Sequence, residues 1–216
     1  TGSTGTVQLG YGSISDKTNA DIISGVVTQT GVMTTGTLSG CVAAGATLNA
    51  QNLITKIASL TSCTGTSGST GSFTINDIGG ITINSFTNYG GSSSFTTSGL
   101  LTFFTIDNSY QDLTLNGVGV SNPNNLGIYA KNITVNGGAG AISLGTNIRQ
   151  TNNGVLTLNN TGSFDVTAGR VNNGFADDGW LRIGASSIGG NLTLSGYGVV
   201  QSGGLLTVGG NSTFTA

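Results

Sequence analysis

One short phrase limits what this chain can fold into: three residues reading apolar, threonine, apolar, set between turns that contain glycine. It stands at Phe73-Thr74-Ile75, Ile81-Thr82-Ile83, Leu101-Thr102-Phe103, Phe104-Thr105-Ile106, Leu113-Thr114-Leu115, Ile133-Thr134-Val135, Leu156-Thr157-Leu158, Leu192-Thr193-Leu194 and Leu206-Thr207-Val208. Side chains alternate across a strand, so each phrase predicts a short half-buried strand with both apolar groups on one face and the threonine on the other. A chain that repeats one strand this often is built by stacking a unit, not by folding a mosaic of different elements.

The spacing gives the size of the unit. Ile81 to Leu101 is 20 residues, Leu113 to Ile133 is 20 and Ile133 to Leu156 is 23. The shorter steps are 8 (Phe73 to Ile81), 12 (Leu101 to Leu113) and 14 (Leu192 to Leu206), and 8 with 12 restores 20. A coil of about 20 residues, with two or three strands joined by glycine corners, satisfies both sets. The expected fold is all-β, a parallel β-helix running as a single solenoid over residues 1–216. Residues 43–60 are the one stretch with a helical alternative, because Leu53, Ile54, Ile57 and Leu60 share a helical face and no proline interrupts. Threonine and asparagine are indifferent helix formers and both flanks read as strand, so strand is preferred.

Composition narrows the function classes. Only 6% of residues are charged, there is neither His nor Glu, and Gly numbers 38, against about 25% charged residues in an average soluble domain. With 36% hydrophobic residues and net charge −2 the chain is folded and turn-rich, not disordered. Six Lys and Arg residues are too few for a nucleic-acid partner, and no apolar run of about 18 residues supports membrane insertion. The sequence begins at Thr1 without a signal-peptide pattern, which reads as a processed chain or an excised piece.

Catalysis is not expected. General acid–base work needs groups titrating near neutrality, and the aspartates are the only acidic side chains. Asp165, Arg170, Asp177, Asp178 and Arg182 form the one dense charged group; with Trp180 they mark 169–184 as a candidate protruding loop. Its plain reading is a solvated loop with an exposed ion pair. Asp165, Asp177 and Asp178 are weak calcium or ligand candidates, and Arg170, Trp180 and Arg182 are candidate contact residues; no cofactor is implied. Cys41 and Cys63 are 22 residues apart, about one coil, which stacks them at disulfide distance. A bond there places the protein outside the reducing cytosol; two buried thiols are the alternative.

The segments KNITVNGGAGAISLG and GGNLTLSGYGVVQSGGLLTVGGNSTFTA resemble the repeats of filamentous-haemagglutinin-like bacterial surface proteins, over residues 70–216 most closely. The resemblance implies a right-handed parallel β-helix, secreted and displayed at the cell surface as an adhesin or fibre. Read head to tail, the junction GGNSTFTATGSTGTVQLG continues the rhythm, and neither end carries a helical or charged cap. The expectation is one unit of a longer stack that pairs with itself end to end, covalently or not, with surface glycans or proteins as further partners. The alternatives are a carbohydrate-binding or carbohydrate-active, tailspike-like β-helix and a surface-layer subunit.

Overall fold

The computed structural model describes residues 6–10, 27–29, 31–42, 44–62, 71–124, 126–144, 148–152, 154–162, 164–166, 181–195 and 198–215. Among them are 22 strands and no helix, and every ladder pairing is parallel, between a strand and its equivalent one coil away. The chain is a β-solenoid of about eight turns. Residues 43–60 follow the strand reading, lying largely within the strand Ala46–Ser62.

Two stacks of strands run along the solenoid. In the first stack Phe73, Ser93, Leu113 and Ile133 lie in register at steps of 20, and Leu156 follows after 23. In the second, Ile81 pairs with Leu101 at 20, and Leu192 with Ser212 at 20. Thus Phe73 and Ile81 belong to one coil, and Ser93 and Leu101 to the next. Steps widen to 26 between Ile57 and Ile83 and to 28 between Phe164 and Leu192, where the coil also contains residues 63–70 or 167–180.

The inner face is a set of apolar columns. Leu48, Ile75, Phe95, Leu115, Val135 and Leu158 stack in register, all buried. Opposite them Leu60, Phe86, Ile106, Ile128 and Ile148 form another column. The two meet across the interior: Phe86 packs edge-to-face with Phe73 at 5.2 Å and with Phe95 at 4.9 Å, the arrangement that ring quadrupoles favour.

One phrase departs from its expected orientation. In Leu101–Asn108 the buried side chains are Leu101, Phe103, Ile106 and Asn108, while Phe104 and Thr105 both face outward. Phe104-Thr105-Ile106 is therefore not a strand with its two apolar groups on one side. The strand bends there, and two successive outward residues carry the chain around the core. Asn84-Ser85 and Ala58-Ser59 mark the same bend one and two coils away, respectively.

Between strands, the corners turn inward with amides. Asn88 and Asn108 are completely buried. The Asn88 Nδ2 group donates to the carbonyls of Gly91 (2.8 Å) and Gly71 (3.1 Å), and Ser93 Oγ donates to Asn108 Oδ1 at 2.7 Å. Asn88 thus satisfies two turn carbonyls, and Asn108 Nδ2 donates to the Asp112 carbonyl at 2.8 Å. Glycine is required where coils touch: a Cβ at Gly154 would lie 1.6 Å from the Lys131 carbonyl oxygen, and Gly45, at φ +88°, would meet Ser72 O at 2.2 Å.

Asp77 caps a corner in the same way, accepting from Ile54 N–H at 2.6 Å and Gly79 N–H at 2.7 Å. Burial pushes its carboxyl above the usual range, partly offset by the hydrogen bonds from Ile54, Gly79 and Thr97. The folded state therefore holds this proton more tightly than the unfolded chain does. Its contribution to stability is fullest below the unfolded carboxylate pKa and declines as pH rises through the folded value.

Two outcomes are expected. Phe86→Ala should lower unfolding free energy by about 3–5 kcal/mol, seen in denaturant melts, because it empties the centre of the ring cluster. Asp77→Asn should cost about 1–3 kcal/mol, since Ile54 and Gly79 donate to different carboxylate oxygens and the amide replaces one of these with an N–H donor. The wild type's margin over this variant should shrink as pH rises from the acid side of the carboxylate range, read from melts at a series of pH values.

Candidate functional site

Sequence reasoning pointed to the ends of the stack and to the 169–184 loop. The end has geometry. The last described coil contributes Val199–Gln201, Leu206–Val208 and Ser212–Thr215, each paired along one edge only, with Leu181–Ile183, Ser186–Ile188 and Leu192–Ser195 respectively. Register places Val208 over Ile188 and Phe214 over Leu194. Ile188 and Leu194 are buried, whereas Leu206, Val208 and Val199 are half-exposed and Phe214 is 55% exposed. These side chains continue the core columns with nothing stacked upon them among the described residues.

A hollow of about 270 Å³ opens at this place, lined by Ile183, Val199, Gln201, Leu206, Phe214 and Thr215. Its floor is apolar and its rim is strand edge, a row of backbone donors and acceptors in position to pair with another strand. No residue in 198–215 is charged, so the usual electrostatic guard against edge pairing is missing. Chemically, this surface presents apolar side chains around the hollow and unpaired backbone along the edge.

The charged group read from the sequence is only partly described. Arg170, Asp177, Asp178 and Trp180 lie outside the described residues. Asp165 sits in the strand Phe164–Val166 of the second stack, in register with Ser143 and Thr193. Arg182 lies in Leu181–Ile183, a strand of the first stack, so the end of the stretch read as a loop is part of the ladder. The Arg182 backbone is held by the buried Gln150, whose Oε1 accepts its N–H at 2.9 Å and whose Nε2 donates to its carbonyl at 2.8 Å. Cys41 is disulfide-bonded. The residue in direct register with it one coil on is Thr61; Cys63, its expected partner, lies outside the described residues.

The outward threonines do stack: Thr47, Thr74, Ser94, Thr114, Thr134 and Thr157 form one column. Beside it runs a ladder that the phrase alone did not reveal. Asn116 Nδ2 donates to Thr96 Oγ1 at 2.9 Å, Asn136 to Asn116 Oδ1 at 2.5 Å, and Asn159 to Asn136 Oδ1 at 2.8 Å. The signal was present, as an asparagine directly after the phrase in FTIN, LTLN and ITVN. Its amides are engaged with one another, so this face stabilises the stack.

No protein-family model, curated protein or solved structure matches the chain. Function is therefore argued from its own surfaces.

Two aspartate substitutions should separate the interior from the open end. Leu194→Asp, which puts a carboxylate between coils, should destabilise the isolated chain by roughly 3 kcal/mol or more. Leu206→Asp should cost it much less, because Leu206 is already half-exposed. Equal losses in thermal melts would show that the last coil is covered in solution.

Proposed function

We propose that this solenoid is a structural segment of an extracellular bacterial filament or adhesin stalk, extended by stacking a further coil on the Val199–Thr215 end. The observation that carries the reading is the unfinished core: Phe214, Leu206, Val208 and Val199 lie in the columns that every lower coil buries. Covering side chains of this kind is worth about 1.5–3 kcal/mol each, and an added strand also satisfies the backbone edge. Because all rungs are parallel, the added coil runs in the same direction, so the contact is head-to-tail and propagates instead of closing. The further coil comes from continued chain or from another copy. The Cys41 disulfide supports a non-cytosolic setting, and the resemblance to haemagglutinin-like repeats points the same way.

Cryo-electron microscopy of the purified chain at increasing concentration tests this. Filaments with β-helical density running through the unit boundary are expected, with Phe214→Asp abolishing them while leaving the fold intact by circular dichroism. Monodisperse particles at high concentration, whose last coil is covered by the chain's own residues, would overturn the reading.

A further inference from the structure

Exposed large apolar side chains are not scattered over the solenoid. Val200, Leu205 and Phe214 belong to the open end, whereas Val32, Leu53, Ile78, Leu100 and Val118 stand at one lateral corner, where the chain leaves the first stack of strands for the second. Backbone rungs join Met33 to Leu53, Asn52 to Ile78, Gly79 to Gly99 and Gly99 to Val118, so these side chains occupy successive coils. Their exposure runs from 43% at Leu53 to 65% at Val32. They lean along the axis onto the next coil: a Cβ at Gly79 would lie 3.3 Å from Leu53 Cδ1, and one at Gly119 3.2 Å from Leu100 Cδ1. With coils about 4.8 Å apart, the five form a ridge roughly 19 Å long.

The fold does not demand this ridge. In the coils that follow, the same corner reads Gly138-Ala139-Gly140, Thr161-Gly162, Gly189-Gly190 and Gly209-Gly210, joined by rungs from Thr161 to Gly138, Gly190 to Gly162 and Gly210 to Gly190. No large apolar side chain stands there. Close approach of the coils accounts for the glycines, since a Cβ at Gly189 would lie 2.3 Å from the Thr161 carbonyl oxygen. It does not account for Ile78, Leu100 and Val118 on the outside of the same turn. The corner is thus an apolar ridge over its first half and a bare backbone shelf over its second.

Both halves are free of charge: none of the corner residues just named is Asp, Lys or Arg. The neighbouring Asp77 is buried, with its carboxylate turned to the Ile54 and Gly79 amides. Such a surface has nothing with which to recognise a phosphate, an acidic glycan or any other charged partner. What it does match is itself, reversed.

We infer that two copies of this chain pair side by side along this corner, antiparallel, about a two-fold axis that passes between the coil of Val118 and the coil of Ala139. Turned about that axis, the ridge of each copy lies on the shelf of the other, with Val118 against Ala139, Leu100 against Gly162, Ile78 against Gly190 and Leu53 against Gly210. The contact is self-complementary, as a two-fold interface requires, and the equal coil spacing keeps every step in phase. Its size sets its strength. A ridge of this width offers a few hundred Å², against roughly 800 Å² per partner in a stable complex, so single chains pair weakly. Units joined end to end repeat the contact, and avidity then holds neighbouring filaments together. This joining of filaments rests on the stacking proposal; the pairing of single chains does not.

The test uses Phe214→Asp, which blocks stacking and leaves the corner intact. Analytical ultracentrifugation of this variant should show reversible, concentration-dependent dimers. Adding Ile78→Asp and Leu100→Asp should weaken them about tenfold or more, the scale of losing central contacts, with the melting temperature unchanged because both side chains are already exposed. In the same background Val118→Cys, beside the axis, should cross-link to its own equivalent under mild oxidation, and Val32→Cys, far from it, should not. With Phe214 restored, Ile78→Asp and Leu100→Asp should turn paired filaments into single ones of the same axial repeat. The inference falls if no dimers form up to about 1 mM, or if the two aspartates leave them unchanged. Equal cross-linking through Val32→Cys would mean a parallel contact and overturn the arrangement. Sedimentation with phosphatidylcholine vesicles in place of dimers would assign the ridge to a lipid surface. Filaments without dimers would strike this inference alone, and dimers without filaments the stacking proposal alone.

Discussion

The rest of the structure depends on the parallel backbone rung between one coil and the next. That ladder fixes successive coils about 4.8 Å apart, and at this distance each residue's nearest neighbours along the axis are its own equivalents. Leu113, Ile133 and Leu156 therefore make a continuous apolar column, and Asn116, Asn136 and Asn159 make a continuous amide ladder. The same closeness dictates the corners. At Gly154 the chain passes so near the coil below that even a methyl group is excluded. Buried Asn88 supplies hydrogen bonds to two carbonyls of the turning backbone.

A ladder of this kind has no internal stopping point. The strands of the coil carrying Phe214 are paired along one edge only. The energies that stabilise the interior, apolar burial and backbone pairing, are what the open edge lacks. The proposed growth along the axis would be a direct extension of the folding interaction and would need no dedicated docking motif.

Laterally the stack is free to vary, because outward side chains are not required by the rungs. Much of the outward surface is threonine, serine and asparagine in register, and the asparagines bond to one another. The departure is the face around Tyr129, where rings and cations replace the hydroxyl columns and a tyrosine occupies a backbone conformation suited to glycine.

The sequence by itself determined the fold and the size of its unit, because a period-two phrase repeated at 20 residues leaves few other ways to bury its apolar face. Leu192 and Leu194 were legible as inward and Thr193 as outward from three letters. Only the tertiary structure decided where the coil bends. Ile54, Ile57 and Leu60 are buried at intervals of three because two outward residues separate them at the bends, and that spacing imitates a helical face, while Leu53 turns out to solvent. The same effect reversed Phe104. Tertiary structure also gathered Tyr110, Tyr129, Lys131 and Arg149, which are separated by up to 39 residues in the chain and share no motif. They meet because register, not sequence proximity, sets which side chains are neighbours on a stacked ladder.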